Sequence, residues 1–312
     1  VTIARLNRGG RRTSRRSPSF PVLLAFLGPA LVLYAVIFLF PVGAAMTNGF
    51  FTWTGTARQE FAGFGNFLTL MGLEPYASQF FRAVGNNAVF FVGTMIVQNG
   101  VGLVLAFLLN GRLRGKHFFQ TIISVPYLMS ALVIGYAWSM LLSPRFGAVN
   151  SLLGVFGIEP VTWLGTPALV MPVLILINAW QWIGVTMLIF GAGLAAIPSE
   201  QIEAARVDGA SSLRIAWSVQ LPQLIPSVSI VTILTLIGCF NLFDLVFAIG
   251  GSTGGVGGAA DVMGTLFYRL SFSNSPNAFG LSGAFSLIQL LLILVVTIGA
   301  QRMFRRLERR FL

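Results

Sequence analysis

The sequence predicts an all-α integral membrane protein with six transmembrane helices, and three observations carry that prediction. The chain of 312 residues is 55% hydrophobic and 9% charged, against about 25% charged residues in soluble domains. Its apolar residues lie in six blocks, each near the ~20 residues that cross a hydrocarbon core at 1.5 Å per residue. Its basic residues gather on alternate sides of those blocks, as retention of positive charge in the cytoplasm requires.

In chain order, residues 1–19 hold Arg5, Arg8, Arg11, Arg12, Arg15 and Arg16, a basic cytoplasmic tail suited to lipid headgroups. The first span runs from Phe20 to Phe40. It is longer than the 7–15 apolar residues of a secretory signal, so Ser14-Arg15-Arg16 is expected to precede an uncleaved helix. An outer segment from Val42 to Arg82 carries Phe61-Ala62-Gly63-Phe64-Gly65-Asn66-Phe67, whose aromatics suit a membrane interface. The second span is Ala83 to Leu109, and a short loop with Arg112, Arg114 and Lys116 follows. The third is Thr121 to Leu142. In the next outer loop, Ser143 to Pro167, the stretch Gly147 to Leu153 reads as a short helix or a re-entrant turn. The fourth span is Ala168 to Ala192, the fifth Ser227 to Ile249 and the sixth Leu281 to Ala300. A glycine-rich outer loop, Gly250 to Gly280, separates the last two. Residues 20–302 thus form one membrane domain, and 303–312 a second basic tail.

Sixteen of the twenty basic residues fall on the side of the two tails; only Arg58, Arg82, Arg145 and Arg269 fall on the other. Both termini are therefore expected in the cytoplasm. The net charge of +11 is a topology signal; no aromatic and basic module accompanies it, so no nucleic acid is expected as a partner.

Catalytic chemistry finds little to work with. Cys239 is the single cysteine, which excludes an intrachain disulfide and a cysteine-based metal site. His117 is the single histidine, in a basic loop, and reads as a surface residue. No metal ligand set, Ser/Lys pair or carboxylate pair stands out, so no catalytic residue is assigned. Gly111 to Lys116 is one residue short of a phosphate-binding loop and follows no strand; Gly255 to Ala260 matches a dinucleotide fingerprint by letters only. The chain is expected to bind no cofactor.

One loop is more elaborate than a connection requires. Residues 195–222, between the fourth and fifth spans, carry Glu200, Glu203, Asp208, Arg206 and Arg214. Ser199 reads as a helix N-cap with Glu200 in the first turn. Ala204 and Ala205 form helix without bulk. Gly209 suits a left-handed helix end, and Ser211 or Ser212 a second cap before Leu221-Pro222. The pattern is a helix, a sharp turn and a second helix.

Glu203-Ala204-Ala205, then Gly209, then Leu221-Pro222 closely resembles the signature of the permease subunits of ATP-binding-cassette importers. Phe64-Gly65-Asn66-Phe67, Gly147 to Asn150, Phe243-Asp244 and Gly250-Gly251 look like landmarks of the sugar-uptake branch that includes maltose and glycerol-phosphate importers, and of the first permease of a pair. The resemblance departs where Leu213 and Ala216 replace an expected Trp and Phe, and where Ser252 replaces a proline. It implies a bacterial or archaeal plasma membrane location, a second homologous permease, two ATPase subunits that bind ATP and Mg, and an extracytoplasmic solute-binding protein. It also implies that Glu203, Ala204, Ala205, Asp208 and Gly209 couple the spans to the ATPase. An interfacial helix lying on lipid is the bland alternative, and its acids oppose that.

Trp180, Gln181, Asn241 and Asp244 are the candidates for a substrate pathway. Asp244 is read as an acid inside the fifth span, functional by default or a structural hydrogen-bond partner, with Asn241 one turn before it on the same face. Trp180, Gln181 and Trp182 lie midway along the fourth span, suited to a sugar or simply to bundle packing. Asn86, Asn87, Gln98 and Asn99 either line the path or bond between helices. A stand-alone secondary transporter or channel is the rival; internal repeats and acids at the midplane, which that class uses, are not evident.

Overall fold

The computed structural model describes residues 20–111, 113–273 and 275–311. The tail 1–19, with its six arginines, and Arg112 of the basic loop lie outside the described residues. The chain divides between Thr47 and Asn48 into two units.

The first unit is dominated by one apolar helix, α1 (Leu24–Asn48). It contains a π turn at Ala35–Leu39, immediately before Phe40-Pro41. A proline removes a donor from the helical ladder, and a widened turn just upstream re-seats the carbonyls that lose it.

The second unit opens with a feature outside the all-α expectation, a hairpin of β1 (Phe51–Thr54) and β2 (Ala57–Phe61). Trp53 pairs with Arg58 and Thr54 with Ala57 across an antiparallel turn. Aromatic and threonine side chains before a glycine are a strand and turn signal, obscured here by its position against an apolar span. Helices α2 (Gly65–Gly72) and α3 (Tyr76–Asn110) follow. Asn66 is buried and clamps the hairpin, donating to Gly49 O and Phe51 O, both at 2.9 Å.

Two of the expected spans are bent. The third consists of α4 (Lys116–Leu128) and α5 (Ala131–Leu141), meeting at 96°; Pro126 lies in the 3-10 turn that ends α4. After α6 (Ala148–Val155), a short helix where a helix or turn was expected, comes the long α7 (Pro167–Ala195), 29 residues with Pro172 inside it. Then come α8 (Ser199–Val207), α9 (Ser212–Gln223) and α10 (Ile225–Phe240), the last pair bent by 65° between Pro222 and Pro226. Among the described residues, four helices are long and apolar enough to cross a membrane, or up to six if each bent pair is one span.

The fifth expected span does not run to Ile249. It stops at Phe240, and a separate helix α11 (Asp244–Gly250) follows. Other helices impose the stop. Asn87 of α3 donates to Cys239 O at 2.7 Å and accepts from Met263 N at 2.8 Å. Gln289 donates to Phe240 O at 3.0 Å. One asparagine thus binds the end of α10 and the start of α12 (Met263–Ser271). The final helix, α13 (Ala278–Phe311), carries Arg302 to Arg309 as its own continuation.

α7 packs on α3, α4 and α10, and its contact with α4 is at backbone distance. A Cβ added to Gly184 would lie 2.6 Å from Ser124 Cα and 2.7 Å from Ile123 O. Gly184→Val is therefore expected to cost about 1–3 kcal/mol through overpacking. A thermal melt of the purified protein in detergent checks this, and an unchanged midpoint would contradict the close approach.

A polar girdle joins α3, α7 and α10. Gln98 donates to Thr186 Oγ1 at 3.1 Å, Asn99 to Thr235 Oγ1 at 3.0 Å, and Asn178 to Gln98 Oε1 at 3.0 Å. Gln98 and Asn99 are consecutive, yet both are buried. A π turn at Met95–Asn99 brings both inward. Asn86 donates to Asp261 O at 2.8 Å. All four amides single out in the sequence as path-lining or interhelical are thus bonded between segments.

Candidate functional site

The first candidate region is the pair α8 and α9. α8 begins at Ser199 with Pro198, not Ser199, at the cap position; the proline is extended there, so serine becomes the first helical residue. Its end follows the sequence closely. Gly209 has φ +79°, Gly209 N donates to Arg206 O, and Ala210 N to Ala205 O, each at 3.0 Å. These are the two bonds of a Schellman cap, which satisfy carbonyls that no further helical turn can reach. Ser211 then caps α9, accepting from Arg214 N at 3.3 Å.

Only one face of α8 is anchored. Ile202 packs on a core of Leu109, Leu194, Ile197 and Leu224, and Gln201 accepts from Gln223 Nε2 at 2.6 Å. Glu203, Ala204, Asp208 and Gly209 are exposed and Ala205 is half-buried. Val207, Leu213 and Trp217 are exposed beside them, Val207 by 88%. Acids, small residues and uncovered apolar side chains thus share a free surface.

The second region is a cavity of about 510 Å³ whose walls include Tyr127, Asn178, Gln181, Trp182, Asn241 and Asp244. Small-molecule sites typically occupy ~300–1,000 Å³. α7 supplies the middle three. Gln181 is buried, and its Nε2 donates to Met129 O at 3.0 Å, where α4 bends into α5. Tyr127 and Trp182 meet edge to face with centroids 5.0 Å apart. Trp180 lies off this cavity and packs on Trp138 at 5.8 Å. Consecutive helical residues point about 100° apart at 3.6 residues per turn, so the cavity that takes Gln181 and Trp182 leaves Trp180 to a neighbouring helix.

Asn241 and Asp244 both reach this cavity, though not as successive turns of one helix. Asn241 is the residue at which α10 ends, and Asp244 opens α11. Asp244 is therefore not inside the fifth span. It occupies a helix first turn, where an acid is favoured by the dipole.

A charged cluster that sequence reasoning missed lies elsewhere. Asp261 is fully buried. Arg269 grips it with both ends of its guanidinium, Nη1 to Oδ1 at 2.7 Å and Nη2 to Oδ2 at 2.6 Å. Thr265 donates to Oδ1 at 2.8 Å, and Arg82 approaches Oδ2 at 3.7 Å. Arg269 also donates to Ser252 O at 2.7 Å, tying the glycine-rich loop to the cluster. The available signal was that Arg82 and Arg269 are exceptions to the basic asymmetry while Asp261 shares the outer loop Gly250 to Gly280 with Arg269.

Comparison with known proteins agrees with this architecture. The family described as binding-protein-dependent transport system inner membrane component matches residues 98–312. The multiple sugar-binding transport system permease protein MsmF of Streptococcus mutans is 32% identical over 91% of this chain and 95% of its own length. The diacetylchitobiose uptake system permease protein NgcF of Streptomyces coelicolor is 30% identical over 71% of this chain and 66% of its own. The fold matches that of a bacterial transporter described as importing the acidic polysaccharide alginate, with a TM-score of 0.79 and 24% identity over 91% of this chain and 95% of that one. A long apolar helix array, a half-anchored helix pair and a matched family over more than half the chain lead to one conclusion: the chain belongs to the inner membrane components of binding-protein-dependent transport systems, and is a multi-pass permease rather than an enzyme.

Proposed function

We propose that this chain is the first permease of a pair in an ATP-driven importer of a sugar or related carbohydrate derivative. Each bent helix pair crosses once, which makes six spans with 1–19 and the end of α13 in the cytoplasm. A second homologous permease completes the path. Two ATPase subunits bind ATP and Mg, and an extracytoplasmic solute-binding protein delivers the solute. The plasma membrane of a bacterium or archaeon is the setting.

The observation that carries this assignment is the single-sided anchoring of α8. Glu203 offers the ATPase a polar contact, Ala204 and Ala205 let its surface approach closely, and Asp208 and Gly209 fix the turn to α9. Ile202 and Gln201 link the same helix to the core beneath α7 and α10, so a displacement of α8 is delivered to the helices that wall the cavity. Sugar relatives support the substrate class, and the cavity on α7 and α11 is the candidate path. Transport direction then follows from different solute affinities in the two access states.

Reconstitution provides the test. Proteoliposomes holding both permeases, the ATPases and the binding protein are expected to accumulate sugar only with ATP, and ATP hydrolysis is expected to rise when loaded binding protein is added. ATP hydrolysis indifferent to the binding protein, or uptake without an ATPase, would overturn the assignment.

A further inference from the structure

We propose that the wall this chain contributes to the path selects neutral, hydroxyl-rich saccharides and turns away anionic ones. The inference rests on the cavity's belonging to the translocation path, as proposed above. Gln181 is 3% exposed and its Nε2 is committed to Met129 O, so it holds the wall at the bend between α4 and α5, while Asn241 and Asp244 stand exposed in the cavity.

Asp244, when ionised, only accepts. Among the described residues lining the cavity it is the one charged group, with no Lys, Arg or His beside it. A uronic acid would bring a second carboxylate into that space with nothing to neutralise it. Like charges near protein surfaces repel several-fold more strongly than in bulk water. A neutral pyranose brings hydroxyls instead, which donate to Asp244 and accept from Asn241. Tyr127 and Trp182, 43% and 40% exposed, add flat apolar faces for the C–H side of the ring. Alginate, the acidic polysaccharide named for the structural neighbour, belongs to the class this wall excludes.

The test is equilibrium binding to the assembled complex of both permeases and ATPases in nanodiscs, with maltotriose, cellotriose and trigalacturonate as probes. At least one neutral trisaccharide is expected to bind about tenfold or more tightly than trigalacturonate. Asp244→Asn is expected to narrow that ratio to about threefold or less. Equal or tighter binding of trigalacturonate to the unmodified complex overturns the inference, as does binding of no probe. Stimulation of ATP hydrolysis by loaded binding protein, measured on the same preparation, separates the two failures. If it persists, the permease assignment stands and only the charge selection falls.

Discussion

Replacing Gly209 by valine is expected to abolish ATP-driven uptake while leaving the affinity of the binding protein for the permease intact. The position sits at φ +79° and has open space around it: an added Cβ would meet nothing within 4 Å. The penalty is therefore confined to the backbone. A left-handed conformation costs an L-residue roughly 1–2 kcal/mol, and a β-branched side chain is among the worst there. The turn between α8 and α9 is expected to reshape, moving Glu203 and Ala204 off their presented geometry. Asparagine tolerates the left-handed region, so Gly209→Asn should retain most activity. Uptake of labelled sugar into proteoliposomes reads the effect. Normal uptake by the valine variant would sink the docking role of α8.

Asp261→Ala is expected to be the most destabilising single change. It leaves Arg269, whose side chain is 21% exposed, without its bidentate partner and releases Thr265 as well. Removing one partner of a buried ion pair costs about 3–5 kcal/mol, largely because the remaining charge stays buried and uncompensated. Arg82→Ala should cost far less, about 0–1 kcal/mol, since Arg82 is 47% exposed and 3.7 Å away. Thermal melts in detergent should rank the variants Asp261→Ala, then Arg269→Ala, then Arg82→Ala. A protease clip should appear first in the loop Gly250 to Gly258, which Arg269 holds through Ser252. Equal melting of all three variants would show that the cluster does not anchor that loop.

Much of the fold was legible because span length and charge placement are one-dimensional properties. A run such as Pro167 to Ala195 declares itself by length alone, and Gly209 declares a helix end by its lack of a side chain. The bends did not declare themselves. In a segment apolar on all sides, hydrophobic periodicity carries no phase, so nothing distinguishes Met129-Ser130 as a corner. The end of α10 was hidden for another reason. Asn241-Leu242-Phe243-Asp244 is apolar enough to pass for helix, and the stop comes from Asn87 and Gln289, one more than 150 residues earlier in sequence and the other nearly 50 later. The same blindness concealed Asp261, whose meaning depends on which arginines fold onto it. In the cavity, composition named Gln181, Asn241 and Asp244, but the rotation of α7 decided that Trp182 and not Trp180 would stand beside them.

The girdle joining Gln98, Asn99, Asn178, Thr186 and Thr235 also decides which fields that part of the bundle can feel. Each of its groups is an amide or a hydroxyl, none titrates near neutral pH, and none carries formal charge. A transmembrane voltage does work on charge, about 2.3 kcal/mol per elementary charge per 100 mV, and so has no purchase here. A proton gradient has none either. The bolt across α3, α7 and α10 is itself deaf to both forms of energy stored across a membrane.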